Sequence, residues 1–471
     1  MRRVPLLLAA TFVAAAGGYA VADAYDRVPG ILTLKPPAPV PSGSPAPGVR
    51  PLVSAPPDPA QAPVPTSDGL AAALREVLAD PRLGTSISVS VRDGVTGTEL
   101  YAVGTRTPRT PASLVKLLAA TAVLRSMPGD EVLKTSAVLS GTSQDLYLIA
   151  GGDVLLAAGA GSPGQVRGRA GLADLAQGVA DFLRTQGLTQ SLRVHLGDPF
   201  PGKERTPPGW RPEDFSSGSA LPVAMIGLAD DRPDPGTPGV SDPERRALEA
   251  FVKALVEAGV PATPAPGKTW RDVPSEQSGA VEVASVESAP VLDLVSEALL
   301  DSDNPMTETL VRVAAHSAKV EMASTADVPR FVTQALARAK IPTAGLQLLD
   351  ASGLSRGQRA SVETISATLA AALDTQAAPS SELLARLPVA GYSGTLKKRF
   401  LGPDGSGVAG VPRAKTGTLS GASNMAGWTV SADGRPLLFT IIADGVSPAG
   451  TDPARAALDR FAAVLTGCGC R

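Results

Sequence analysis

The hydrophobic pattern of the first folded stretch predicts a helix, a hairpin and a second helix. Between Ser67 and Leu78, apolar residues recur at helical spacing, after a serine and an aspartate that can cap the first turn. Residues 85–93 and 99–103 alternate apolar and polar positions on either side of Asp-Gly and Thr-Gly turn residues, as hairpin strands do. A proline then precedes the apolar run 113–124, which is typical of a helix start.

The C-terminal part of the chain repeats this order of hairpin and helix. Residues 425–445 predict a hairpin that turns at Asp433 and Gly434, and residues 452–465 predict a helix with one apolar face. If both hairpins belong to one antiparallel sheet backed by helices, the two ends of the chain meet in one α/β domain. The middle of the chain is then an insertion.

Residues 135–280 carry their own strand and helix signals. Strand-like segments occur at 145–151 and 191–197, and amphipathic helical segments at 170–186 and 244–259. We found no catalytic constellation in this stretch. It is therefore predicted to be a smaller inserted α/β domain.

The insertion divides the main α/β domain into a first part, 68–134, and a second part, 281–466. A C-terminal tail, 467–471, follows and holds the only two cysteines of the chain, Cys468 and Cys470. Two cysteines cannot form a disulfide framework between domains. They could close a small loop, bridge to another chain or bind a metal, and a flexible tail without catalytic importance is the simplest interpretation.

The N-terminus resembles an export signal. Arg2 and Arg3 precede the uncharged run Val4–Ala22, which ends in small residues, so 1–26 is predicted to be a signal peptide or an uncleaved membrane anchor. The proline-rich stretch 27–67 is predicted to be a linker. Both alternatives place the rest of the chain outside the cytoplasm, secreted or anchored to the outer face of the cytoplasmic membrane.

Composition and charge exclude some functions. The 471 residues carry 45 acidic and 43 basic side chains, with no basic stripe interleaved with aromatic residues, so nucleic-acid binding is not expected. No spacing of cysteine, histidine and carboxylate residues suggests a metal site. We therefore expect neither a metal nor another cofactor.

Three short motifs carry the candidate chemistry: Ser113–Lys116 (SLVK), Ser302–Asn304 (SDN) and Lys415–Thr418 (KTGT). Among the eleven lysines, only Lys116 has a serine three residues before it, and only Lys415 is followed by Thr-Gly. Together the three motifs have the order found in penicillin-binding proteins and class A β-lactamases.

The spacing of the first motif has a physical reason. A serine and a lysine three residues apart at a helix start lie on one face, so the amine of Lys116 can take the hydroxyl proton of Ser113. The helix start directs N–H groups and a positive dipole at a developing oxyanion. A cation at Lys415 would favour the neutral amine of Lys116.

One competing nucleophile is Ser355, because residues 353–357 match the G-x-S-x-G elbow of α/β-hydrolases. That family requires a histidine after the serine. The two histidines, His195 and His316, both precede it, so we expect packing or surface roles for them.

Beyond the motifs, the chain resembles the low-molecular-mass class C penicillin-binding proteins, the D-alanyl-D-alanine carboxypeptidase/endopeptidase family. The resemblance covers most of residues 68–466, in the stretches PASLVKLLAATAVL, LYLIAGGDVLL, GWRPEDFSSGSALPV, SDNPMTETL, LDASGLSR, LPVAGYSGTLKKRF and AKTGTLSGASNMAGW. It implies a penicillin-binding α/β fold, hydrolysis of peptidoglycan stem peptides through an acyl-enzyme, and β-lactams as covalent inhibitors. It leaves the balance of carboxypeptidase and endopeptidase activity open.

The resemblance also implies a role for each motif residue. Ser113 would be the acylated nucleophile and Lys116 its general base, while Ser302, helped by Lys415, would relay a proton to the leaving amine. The N–H groups of Ser113 and Thr418 would form the oxyanion hole. The residues that bind substrate would be Asn304, Thr416, Gly417 and Thr418.

The chain departs from the family in its insertion, because only 188 positions separate Lys116 from Asn304. One inserted domain, or a shortened pair, is expected in place of two. Two rival functions stay open at this stage. A class A β-lactamase would need a catalytic glutamate motif after Ser302, which is lacking. A wall-associated binding module would have no need of the intact motif residues.

Overall fold

The computed structural model describes residues 58–140, 144–202, 204–233, 236–266, 270–271, 274, 279–375 and 380–471. The predicted signal peptide or anchor, 1–26, and the linker as far as residue 57 lie outside the described residues. Within the described part, no helix has the length and apolar character needed to cross a membrane.

The described strands, in chain order, are β1 (Ile87–Asp93), β2 (Glu99–Val103), β3 (Val132–Ser140), β4 (Asp145–Ile149), β5 (Leu192–Gly197), β6 (Ala262–Pro264), β7 (Trp270–Arg271), β8 (Ala280–Pro290), β9 (Arg413–Leu419), β10 (Ala422–Val430) and β11 (Pro436–Ala443). The described α-helices are α1 (Ser67–Leu78), α2 (Val115–Leu124), α3 (Leu172–Thr185), α4 (Pro212–Ser216), α5 (Pro243–Glu257), α6 (Val291–Leu300), α7 (Asn304–Ser317), α8 (Asp327–Arg338), α9 (Val362–Ala371) and α10 (Thr451–Thr466).

The first sheet joins the two ends of the chain, as predicted. Its strand order is β2-β1-β11-β10-β9, and its neighbours are antiparallel. The pair Ile87 and Ala443 starts the register between the N-terminal and C-terminal hairpins. Strand β9, which carries the motif Lys415–Thr418, is the last strand in this order, and the start of its outer edge is hydrogen-bonded to residues 388–390.

Alternation along β11 gives this sheet two buried faces. Leu437, Phe439 and Ile441 pack in one apolar cluster with residues of α1 and α10. Leu438 and Ile442 pack in another cluster with residues of α2 and α9. Because strand side chains alternate between faces, a continuous apolar strand requires helices on both sides. The predicted sheet backed by helices is confirmed.

A second sheet, with the order β6-β5-β4-β3-β8 and β7 beside β5, lies within residues 132–290. Strands β3, β4 and β8 form antiparallel neighbours, whereas β4, β5 and β6 run parallel. Its apolar cluster includes α3 and α5 and continues into α2. The sequence pattern missed β3 and β8, the strands at the two ends of this stretch. The division at 135 and 280 stays a prediction.

One buried ion pair joins the first and last hairpins. The Arg435 guanidinium donates two hydrogen bonds to the Asp93 carboxylate, and both side chains are about 95% buried or more. Its remaining donors bond to backbone carbonyls of residues 59–62. The pair thus ties the first hairpin, the last hairpin and the end of the linker together.

The C-terminal tail is also held. Cys468 and Cys470 are joined by a disulfide, and Cys468 is buried in the cluster around α1 and α10. The N–H of Thr66 donates to the carbonyl of Cys470 at 2.7 Å. The interpretation of these residues as a flexible tail is therefore wrong, because the tail packs against the start of α1.

We expect Arg435→Ala to lower the free energy of unfolding by about 3 kcal/mol, because it leaves the buried Asp93 carboxylate without its counter-charge. Urea unfolding followed by circular dichroism measures the change. The control is Arg106→Ala, which breaks an ion pair with Glu363 whose arginine side chain is 86% exposed. Its expected cost is below about 1 kcal/mol. Equal losses in the two variants would contradict the role given to the buried pair.

Candidate active site

Ser113 lies in a tight turn held against the first sheet. Residues Ala112–Leu114 form a 3-10 turn directly before α2. Ala112 has a φ of 48°, in the left-handed region that is costly for a residue with a side chain. The Asn424 side-chain amide on β10 donates to the carbonyls of Thr110 and Pro111 at 2.9 and 3.0 Å. These bonds hold the backbone on which Ser113 sits.

Gly417 allows β9 to reach this turn. It pairs with Asn424 across the sheet, so the two residues face the same side. A Cβ atom at Gly417 would lie 2.8 Å from the carbonyl oxygen of Pro111 and 3.3 Å from the backbone nitrogen of Leu114. The absence of a side chain therefore sets the distance between β9 and the nucleophile turn.

The Lys116 amine is surrounded by hydrogen-bond acceptors. It lies 3.2 Å from the Ser113 hydroxyl and 2.6 Å from the carbonyl oxygen of Ser352, and it also donates to Oδ1 of Asn304. The side chain is buried. Burial lowers the pKa of Lys116 to about 8, although nearby carboxylates raise it, Asp350 most strongly. The amine is thus set to lose its proton near neutral pH.

The second motif turns the chain into α7. Ser302 has a φ of 58°, and Asp303 caps the helix by accepting from the N–H of Met306 at 2.8 Å. Asn304, the first helical residue, is buried and donates through its amide to the carbonyl of Ser219 at 2.7 Å. This bond fixes which way the amide faces, with Oδ1 directed at Lys116.

The third motif places a second buried amine beside Ser302. Lys415 on β9 donates to the Ser302 hydroxyl at 2.9 Å and to the carbonyl of Thr416 at 2.8 Å. Burial, and then the charge of Lys116, hold the pKa of Lys415 well below its usual range. The sequence predicted that a cation at Lys415 would favour a neutral Lys116. In the structure, burial lowers the pKa of Lys116, and the charge of Lys116 lowers the pKa of Lys415 rather than the reverse.

All three motifs meet at one cavity of about 560 Å³. Ser113, Ser302, Thr416 and Thr418 are the motif residues that line it. The other lining residues were not singled out from the sequence: Thr395, Lys398, Arg399, Asp452, Arg455, Ala456 and Asp459. Thr395 accepts a hydrogen bond from the Thr416 hydroxyl at 3.1 Å. The cavity thus presents several hydroxyls to a ligand, and two of them, on Ser113 and Ser302, are hydrogen-bonded to the buried amines of Lys116 and Lys415.

The sequence was compared with models of known protein families. The profile of the D-Ala-D-Ala carboxypeptidase 3 (S13) family matches residues 70–232 and 228–465. The chain belongs to this family. The resemblance seen in the sequence is thereby confirmed.

The chain is also similar to individual carboxypeptidases over most of its length. The chain is 34% identical to carboxypeptidase DacB of Mycolicibacterium smegmatis, across 92% of this chain and 90% of that protein. It is 33% identical to a carboxypeptidase of Mycobacterium tuberculosis, across 86% and 85%. The fold resembles penicillin-binding protein 4 (dacB) of Haemophilus influenzae, with a TM-score of 0.63, 17% identity and coverage of 84% and 97%.

Ser355, the competing candidate nucleophile, lacks the lysine contact that Ser113 has. Ser355 lies in a loop without strand or helix, and its N–H donates to Asp350. His195 contacts Asp145 and stacks on Tyr147, while His316 packs against Phe200. Among the described residues, no group of three or more metal-binding side chains could hold a metal ion. The S13 assignment leaves the nucleophile-elbow alternative without support.

Three contributors to the site were missed in the sequence because their role is backbone placement. They are Asn424, which holds the nucleophile turn; Ser352, whose carbonyl contacts Lys116; and Gly353, whose absent side chain lets the loop approach Ser113. The stretch LDASGLSR was a further signal, since it matched the family without carrying any motif residue.

We expect Gly417→Ala to slow acylation of Ser113 by about 100-fold, because the added methyl group moves β9 or the nucleophile turn by a fraction of an ångström. The rate constant for labelling by a fluorescent penicillin measures this. In the control, Gly402→Ala, the new methyl group meets no atom within 4 Å. Its rate should match the wild type, and both variants should keep their circular dichroism spectra. A Gly417→Ala enzyme with wild-type acylation would contradict the steric argument.

Proposed function

We propose that this S13 family member is a serine D-alanyl-D-alanine carboxypeptidase that cleaves peptidoglycan stem peptides through an acyl-enzyme at Ser113. The assignment to this reaction class rests on membership of the S13 family. The residue roles rest on the geometry around Lys116, which is the observation that decides between a catalytic and a structural serine.

The surroundings of Lys116 orient its lone pair. A neutral amine has two N–H donors, and Oδ1 of Asn304 and the carbonyl of Ser352 can only accept. Both hydrogens are therefore directed at these two oxygens, which leaves the lone pair facing the Ser113 hydroxyl. The amine can then remove the hydroxyl proton as Ser113 Oγ bonds to the carbonyl carbon of the penultimate D-alanine.

Collapse of the resulting tetrahedral intermediate breaks the C–N bond to the terminal D-alanine, whose nitrogen requires a proton. Ser302, hydrogen-bonded to Lys415, lies on the cavity wall and can relay the proton that Lys116 received. The backbone N–H groups of Ser113 and Thr418 are assigned to the oxyanion hole. Water then hydrolyses the ester and restores Ser113.

The hydroxyls along β9 suit a substrate carboxylate. Thr416 and Thr418 line the cavity beside Ser302, and we assign them to the terminal carboxylate of the peptide, with Asn304 assigned to its backbone. β-Lactams present a carboxylate and a reactive carbonyl in the same relation, so we expect them to acylate Ser113. A solved structure of the Haemophilus influenzae penicillin-binding protein 4 holds a β-lactam.

The location of the protein belongs to the same proposal. The charged start and uncharged run of residues 1–22, and a proposed substrate that is part of the cell wall, both support export. We propose that the chain acts outside the cytoplasm, either secreted or anchored to the outer face of the cytoplasmic membrane through its N-terminus. Fractionation of cells that express the full chain distinguishes the two; a cytoplasmic pool alone would contradict both.

We expect Ser113→Ala to abolish covalent labelling by a fluorescent penicillin, because it removes the hydroxyl that contacts the Lys116 amine. The matched variant Ser355→Ala, in which the serine of the competing G-x-S-x-G sequence is replaced, should still be labelled. Denaturing gel electrophoresis with fluorescence detection measures both. Labelling that survives Ser113→Ala would overturn the assignment.

Two further assays define the activity on the proposed substrates. Release of D-alanine from a muropeptide pentapeptide reports carboxypeptidase activity, and cleavage of a cross-linked dimer reports endopeptidase activity. We expect the first to be present and to be lost in Ser113→Ala. Rapid, continuous turnover of a chromogenic β-lactam, without D-alanine release, would favour a β-lactamase instead.

A further inference from the structure

Asp350 is a buried carboxylate that none of the three motifs contains. It is fully buried, and it accepts hydrogen bonds from neutral donors only: the N–H groups of Ser352, Gly353 and Ser355, the amide of Gln358 and the indole of Trp210. Burial opposes its ionisation, yet these hydrogen bonds lower the pKa of Asp350 below its usual value. It therefore carries a negative charge at neutral pH.

The loop that folds around this charge forms the wall behind the nucleophile. Ser352, two residues after Asp350, directs its carbonyl at the Lys116 amine at 2.6 Å. At Gly353, which has a φ of 85°, a Cβ atom would lie 2.0 Å from the carbonyl oxygen of Ala112 and 3.0 Å from the backbone nitrogen of Ser113. One carboxylate thus holds the backbone that contacts both the nucleophile and its base.

The same carboxylate affects the Lys116 amine electrostatically. The carboxylates that act on this amine are Asp350, Asp303 and Glu308, and Asp350 is the strongest of them. The nearby Lys415 amine is buried, and burial together with the charge of Lys116 holds its pKa well below the usual range. Burial and the charge of Asp350 raise the pKa of Glu308 to about 8. Below neutral pH Glu308 is therefore mostly protonated and adds little negative charge near the Lys116 amine. Asp350 is therefore the main counter-charge to Lys116 while the amine is protonated.

We propose that Asp350 is a positioning residue that holds residues 350–358 against Ser113 and Lys116 and supplies the negative charge facing the Lys116 amine. This inference rests on the proposed function, since it assumes that Lys116 is the base for Ser113. A purely structural aspartate would affect stability and the overall rate. Asp350 must also set the pH at which the base becomes active.

The test is the pH dependence of Ser113 acylation by a fluorescent penicillin, measured from about pH 6 to 10. In the wild type the rate should rise with pH through the Lys116 pKa, near 8, because only the neutral amine can accept the proton. Asp350→Asn removes the counter-charge, which favours the neutral amine. The midpoint should therefore move to lower pH by about one unit, with a plateau rate reduced about tenfold or more because the loop is held less well.

Trp210→Phe is the matched control, because it removes one donor to Asp350 and no charge. Its midpoint should stay at the wild-type pH. If the asparagine variant does not fold, as judged by circular dichroism and thermal unfolding, Asp350→Ser removes the same charge and leaves room for water beside the loop. The same shift is expected for it.

The outcomes separate this inference from the proposed function. A wild-type protein that is not labelled at Ser113 would overturn both. A wild-type protein that is labelled with a midpoint near pH 8, together with a folded Asp350→Asn or Asp350→Ser protein that keeps this midpoint, would overturn only the role of Asp350. A shift of equal size in Trp210→Phe would also overturn it, because that variant keeps the charge.

Discussion

The site depends on burying two lysine amines next to each other. An isolated ammonium group is expensive to remove from water, and a second one nearby adds repulsion, so the pair favours the loss of a proton. Lys116 and Lys415 meet this cost with hydrogen bonds from their amines to hydroxyl, amide and carbonyl oxygens. A base is thereby obtained without histidine, and its strength follows from how well the surrounding backbone is packed.

That packing is assembled from segments that lie far apart in the chain. Ser113 follows the first hairpin, Lys415 lies on a strand of the last one, and Ser302 precedes a helix between them. The antiparallel sheet brings the first and last segments together. In it Gly417 and Asn424 form a cross-strand pair that contacts the turn before Ser113, Gly417 by close approach and Asn424 by hydrogen bonding. The strained backbone at Ala112 and Ser302 persists because tertiary contacts on several sides fix it.

Much of this could be predicted from the sequence, for physical reasons that differ between elements. The terminal hairpins and helices follow from strong local periodicity and turn residues, and the motif residues follow from chemistry at fixed spacing. Strand β3 was missed because the buried polar residues Thr135 and Ser136 interrupt its apolar pattern, and β8 because several of its positions are exposed. The pairing of the two strands is also long-range. Asn424 was missed because its amide donates to a backbone carbonyl 314 positions earlier. Asp350 was missed because the loop around it contacts Lys116, 236 positions before Ser352, and no local pattern encodes such contacts.

The pairing of β3 with β8 bears on how the segment between these strands is joined to the rest of the fold. The strands are the entry and exit of residues 132–290, and they pair antiparallel, with two register shifts and with Ala137 opposite Ala284. The chain leaves α2 and returns to α6 at nearly the same place, whatever is folded in between. Segments could thus be gained or lost during evolution beyond this paired stem without changing the separation of Ser113 and Ser302.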